Sequence, residues 1–81
     1  MTESQVFNMV RSELHSAERC YPAMTSPHEG YAILLEEVDE LWNEVKQPLC
    51  NRNTLRQKEE AIQVAAMAIR FILDVCNEED G

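Results

Sequence analysis

Apolar positions recur every three or four residues along three stretches of this chain, the spacing of helices that bury one face. The first stretch predicts a helix over about residues 3–20. Val6, Val10, Leu14, Ala17 and Tyr21 form a narrow apolar stripe, joined by Phe7. Thr2 and Gln5 have capping-box spacing, in which each side chain satisfies a backbone N–H left free by the first helical turn. Pro22 ends the stretch, because proline lacks the N–H a helix interior requires.

The second stretch predicts a helix over about residues 28–46. Ser26 supplies a capping hydroxyl, Pro27 a preset first turn and Glu29 an acid at the positive end of the helix dipole. Pro48 stops it. Tyr31, Leu34, Leu35, Val38, Leu41, Trp42 and Val45 cover about 120° of the helical wheel and are expected to be the core face. Trp42 is thereby assigned to packing rather than to base stacking, and Tyr21 to the core. Thr54 and Gln57 suggest a third capped helix over about residues 55–76. Residues 77–81 read as a frayed tail, since their acids would sit at the negative end of a helix dipole. No stretch alternates as a strand does, so the expected fold class is all-α, one domain over 1–81.

The third helix is apolar over a wider arc. Ala61, Ile62, Val64, Ala65, Ala66, Ala68, Ile69, Phe71, Ile72, Leu73 and Val75 spread over roughly 220°, more than two neighbouring helices of one small chain can cover. It reads as a central helix packed on two sides. The expected assembly is a three-helix protomer joined through its third helix into a helical-bundle oligomer, a homodimer or homotetramer. Glu59, Gln63, Arg70 and Asp74 make the remaining polar strip, with Glu60 at its edge. Arg70 is expected in a buried salt bridge.

Composition narrows the partners. A chain of 81 residues has a thin core. Its net charge of −8 argues against direct nucleic-acid binding, which relies on Lys and Arg facing phosphates. Cys20, Cys50 and Cys76 are too few and too irregular for a disulfide framework, which suits a reducing cytoplasm. No signal peptide and no membrane span is expected. The glycines are Gly30 and Gly81, so no glycine-rich phosphate loop exists.

The segment from Glu36 to Glu44 carries five acids in nine residues. Glu37, Glu40 and Glu44 lie on one side of the wheel, beside the apolar arc, where like charges repel by a few tenths of a kcal/mol per pair. Two readings stand at this point. The acids form a solvated helix face, or they converge with the polar strip of another helix to hold a hard divalent cation such as Mg²⁺.

Glu36-Glu37-Val38-Asp39-Glu40 resembles the E-E-x-x-E motif of the MazG-like all-α nucleoside-triphosphate pyrophosphohydrolases. The stretch from Glu59 to Ala68 resembles the second motif of that family, E-x-x-D, with Glu60 at the family's Glu. Gln63 stands where the family usually carries Asp, and its run Gln63-Val64-Ala65-Ala66 is similar to a phage- and bacteria-associated subgroup. The resemblance covers about residues 28–75. It implies hydrolysis of a nucleoside or deoxynucleoside triphosphate to the monophosphate and pyrophosphate, in nucleotide-pool cleansing. It implies Mg²⁺, or Mn²⁺, held by Glu37, Glu40 and Glu60, with Gln63 as a further ligand position. Glu36, Glu37 and Glu40 would be the catalytic acids, Glu36 in a supporting role. A neutral Gln63 keeps a second reading open, a non-catalytic relative that binds nucleotide or a protein partner. In the first reading Gln63 is expected to orient Glu37 or Glu40 through a hydrogen bond.

Overall fold

The computed structural model describes residues 1–76. They form α1 (Glu3–Cys20), α2 (Pro27–Val45), a short 3₁₀ turn (Leu49–Asn51) and α3 (Thr54–Val75), with no strand among the described residues. The tail expected at 77–81 lies outside the described residues.

The helix starts follow local chemistry. Thr2 and Gln5 close the reciprocal box, at 3.1 Å from Gln5 N to Thr2 Oγ1 and 2.8 Å from Thr2 N to Gln5 Oε1. Ser26 Oγ accepts the Glu29 N–H at 3.1 Å. The Glu29 carboxylate turns back to Thr25, accepting its N–H and its hydroxyl. α3 departs from expectation by one residue. Asn53, not Thr54, is its cap, with Asn53 Oδ1 accepting the Arg56 N–H at 3.1 Å. An asparagine oxygen caps as well as a threonine hydroxyl, so the earlier of two competent residues took the position.

α3 is the central element. Both α1 and α2 pack on it, while α1 and α2 do not approach each other. The core joins Val10, Leu14 and Ala17 of α1 to Ala66 and Met67 of α3, with Met24 from the first connection. Ala66 is 0% exposed, its small side chain allowing a close approach of the packed elements. Ile33 and Leu34 bring α2 to this cluster. The Pro48 connection sends α3 back along α2, so Gly30 in the first turn of α2 meets Phe71 near the end of α3. A Cβ at Gly30 would stand 2.7 Å from Phe71 Cδ2, so this contact is open only to glycine without rearrangement.

Two expectations about the core are corrected. On α2 only Leu34 and Leu41 of the expected face are half-buried; Tyr31, Leu35, Val38, Trp42 and Val45 are exposed, Tyr31 at 61% and Trp42 at 57%. Tyr21 is exposed as well. The reason is azimuthal. α2 turns toward α3 the side that carries Gly30, Leu34, Glu37 and Leu41, so the centre of its apolar arc looks outward. Tyr21 is the extended residue that ends α1 and has left the helical stripe. The core is correspondingly thin: among the described residues no large side chain is fully buried. The Cα radius of gyration is 14.1 Å. A compact chain of this length would have about 12 Å.

Candidate metal centre

The antiparallel pairing of α2 with α3 brings the two acidic motifs together. Glu37 and Glu40 lie one turn apart on α2, and Glu60 faces them from α3. One carboxylate oxygen from each lies within 4.8 Å of the other two. The three side chains thus converge across two helices, with Glu40 exposed and Glu37 and Glu60 half-buried. Glu44 belongs to the same patch, its charge acting on Glu60.

Convergence has an electrostatic cost. Burial, then the charge of Glu40 and a hydrogen bond to it, then the charges of Glu60 and Glu36, raise the Glu37 pKa from its ordinary 4.5 to about 7. The Glu60 carboxyl is raised too, first by burial, then by the hydrogen bond and charge of Glu40, then by Glu44 and Glu59. Among the described residues the one ion pair is Arg70–Asp74, so no side-chain cation neutralises the three acids. Glu60 Oε2 is buried and has no hydrogen-bond partner.

These residues suit Mg²⁺. The ion takes oxygen ligands at about 2.1 Å in an octahedron, so opposite ligands stand roughly 4.2 Å apart. Adjacent ligands stand about 3 Å apart, so the three oxygens, now within 4.8 Å of one another, would have to draw closer to share one ion. An orphaned buried carboxylate oxygen and a cluster of hard oxygen donors with no neighbouring side-chain cation fit the chemistry of such an ion.

Beside the cluster runs a groove between α1 and α2, floored by α3, with a volume of about 630 Å³. Glu36, Glu37 and Gln63 line it. Glu36 is exposed at its rim, and Gln63 is half-buried in its floor. Among the described residues Gln63 forms no hydrogen bond to Glu37 or Glu40, so the orienting bond expected of it is not made in this state. Arg70 is buried at 4% exposure and pairs with Asp74 within the chain, the buried salt bridge expected of it. Glu13 and Ser16 of α1 also line the groove. Sequence reasoning passed over both, although they flank the buried Leu14 and Ala17.

The raised Glu37 pKa gives a pH-dependent stability. Between pH 4.5 and about 7 the folded chain holds a proton that the unfolded chain releases. The contribution is therefore fully present below 4.5 and lost as pH rises through about 7. Without divalent cation, the melting temperature is expected to fall across this window. Mg²⁺ is expected to restore it at pH 8, since a ligand of the folded state alone stabilises it. At pH 5.5 it should have little effect, because protons compete for the same oxygens. Thermal melts with and without Mg²⁺ at both pH values check this; equal shifts at both would contradict it.

Fold and site together define an all-α protein with a paired-helix carboxylate centre at the edge of a groove. No protein-family model, no curated protein and no solved structure matches the chain.

Proposed function

We propose that this protein is a cytoplasmic, Mg²⁺-dependent nucleoside-triphosphate pyrophosphohydrolase of the MazG-like kind, acting in nucleotide-pool cleansing. The observation that carries the reading is the convergence of Glu37 and Glu40 with Glu60 across two helices, at the edge of a groove of about 630 Å³. That volume falls in the range of small-molecule sites. Glu37, Glu40 and Glu60 would hold the ion, which when bound neutralises phosphate charge and makes a bound water more acidic. Glu36 lines the groove outside the three-acid set and offers a carboxylate to accept the proton of the attacking water.

The test is pyrophosphate release from a panel of ribo- and deoxynucleoside triphosphates across a Mg²⁺ titration, for the wild type, Gln63→Asp and Gln63→Ala. Wild-type turnover that depends on Mg²⁺ is expected. No turnover by any of the three would end the enzyme reading. Turnover by Gln63→Asp alone would favour the second reading, a non-catalytic relative that binds nucleotide or a protein partner. The neutral Gln63, which makes no side-chain hydrogen bond among the described residues, is the observation behind that alternative.

The active form in this proposal is a homodimer or homotetramer. On α2 the exposed Tyr31, Leu35, Val38, Trp42 and Val45 follow the four-three spacing of a helix–helix seam. Ile69, Ile72 and Leu73 of α3 are exposed as well, and the α2 seam extends the expected interface beyond the third helix. Light scattering is expected to give a multiple of 9.3 kDa, with Trp42→Glu breaking the assembly, while Ala65→Glu, at a half-buried position packed on the core, should unfold the chain as well. A monodisperse monomer at micromolar concentration would refute it.

A further inference from the structure

We propose that a second copy of this chain seats Val45 and Leu49 in the hollow lined by Pro27, His28, Tyr31 and Phe71, each copy doing so for the other about a two-fold axis at Val38. The inference rests on the assembly proposed above and names the contact through which it forms.

The hollow lies at the start of α2, where Pro27, His28 and Tyr31 meet Phe71 of α3 around a volume of about 400 Å³. Around the helix axis those three α2 residues fall within about 60° of the centre of the exposed seam, so hollow and seam share one side. At the other end of the seam Val45 is exposed. Leu49, in the 3₁₀ turn beyond it, is 80% exposed, the most of any large apolar side chain among the described residues. An apolar prominence and an apolar hollow thus stand at opposite ends of one surface.

The seam is balanced about its middle. Tyr31 and Val45 each stand seven residues from Val38, and Pro27 and Leu49 each stand eleven. Rotation about Val38 therefore sets Val45 on the partner's Tyr31 and Leu35 beside the partner's Trp42. Larger side chains meet smaller ones, the alternation that packs facing positions without gaps. A parallel pairing instead stacks tyrosine on tyrosine and tryptophan on tryptophan, which holds the helices apart at Val38 and Val45.

Charge favours the same orientation. Lys46, Arg52, Arg56 and Lys58 occupy a run of 13 residues that contains no acid. None of the four is in an ion pair among the described residues. Parallel pairing would bring two such runs together. Antiparallel pairing separates them by the length of the seam, about 21 Å of helix, well beyond the screening length of about 8 Å at physiological salt. It also opposes the two α2 dipoles instead of aligning them. A surface whose two halves fit each other takes an identical surface as its partner, the condition of an isologous contact. The contact leaves the groove free. Glu29, Ile33 and Glu36, which line it, lie about 140–200° around α2 from the seam centre, so both grooves open away from the partner.

The experiment uses the full chain carrying Cys20→Ser and Cys76→Ser, in which Cys50, next to Leu49, is the remaining thiol. Adding His28→Cys at the rim of the hollow is expected to give a disulfide-linked dimer under mild oxidation about 100-fold faster than that background chain, because a held pair reacts at millimolar effective concentration while free chains meet at micromolar. The link should vanish when Cys50→Ser is added. In the otherwise natural chain, Leu49→Asp is expected to raise the dissociation constant of the assembly by about tenfold or more in analytical ultracentrifugation. Its helical circular-dichroism signal should be kept, since Leu49 is so little buried within its own copy. A link that persists without Cys50 means parallel pairing and overturns the proposal. Linking at the background rate, or an unchanged dissociation constant for Leu49→Asp, overturns it too. A wild-type monomer at micromolar concentration overturns both this contact and the assembly proposed above. An assembly that fails the thiol test overturns this contact alone, and pyrophosphate release is decided by its own assay.

Discussion

Arg70→Met is expected to leave the chain largely unfolded at 37 °C. The Arg70 guanidinium is buried and closes the end of α1. It donates to Tyr21 O at 2.7 Å and Pro22 O at 2.5 Å, and more weakly to Ala17 O at 3.5 Å. Its Nε stands 3.2 Å from Asp74 Oδ2, which also accepts the Met24 N–H at 3.0 Å. One side chain thus links the C-terminal carbonyls of α1, the connection to α2 and the last turns of α3. Methionine replaces the aliphatic length and strands Asp74 as a largely buried, unpaired charge. Removing one partner of a buried ion pair costs about 3–5 kcal/mol. Whole domains are stable by only about 5–15 kcal/mol, and this one has a thin core. Arg70→Lys should recover little, since one ammonium cannot span three carbonyls and a carboxylate. Arg70→Met combined with Asp74→Leu should recover more, because the orphaned charge is gone. Urea denaturation followed by circular dichroism measures all three. An Arg70→Met chain within about 1 kcal/mol of wild type would show that the clamp contributes little beyond what surface groups do.

Glu60→Gln should act in opposite directions with and without metal. Glu60 Oε2 is buried without a partner, and the carboxyl faces Glu37 and Glu40. A neutral amide removes one of three crowded charges and adds a donor for the remaining two. Without divalent cation the variant is expected to be more stable than wild type by about 1 kcal/mol, the scale of one satisfied hydrogen bond. For a domain of this size that corresponds to roughly 4–8 °C in melting temperature. With Mg²⁺ the order should reverse. The wild type gains stability and the variant does not, because an amide oxygen is a poor substitute for a carboxylate in the shell of Mg²⁺. Pyrophosphate release, where the wild type has it, should fall by 100-fold or more, about 2.7 kcal/mol in the activation barrier. Melts in chelator and in millimolar Mg²⁺ read the crossing directly. A Glu60→Gln chain that is less stable than wild type in chelator would mean that Glu60 is not strained by its neighbours, and the metal reading would lose its main support.

What the sequence by itself determined is local. The three helices appear within a residue of their expected bounds, because periodicity and capping act over one or two turns. Thr2 with Gln5 and Ser26 with Pro27 act as their spacing requires. Proline at 22 and 48 ends helices for reasons internal to the backbone. The three cysteines are free, as their spacing suggested. The crowding of Glu37 and Glu40 beside an apolar arc was also legible, since it needs only the 100° step of one helix.

Direction was not legible, because a helical wheel orders side chains around an axis without saying where the neighbouring helix lies. The tertiary structure decided that azimuth. Close approach of Gly30 to Phe71 and of Ala66 to its neighbours is possible only along those faces, and the Arg70 clamp ties the end of α1 to α3. The consequences run against the wheel. Trp42 and Tyr31 look outward from the middle of an apolar arc. The same choice carried Glu60 across to Glu37 and Glu40 and opened the groove lined by Glu13 and Glu36. Such contacts join residues far apart in the chain, and their energy depends on which surfaces fit, a property that no single helix contains.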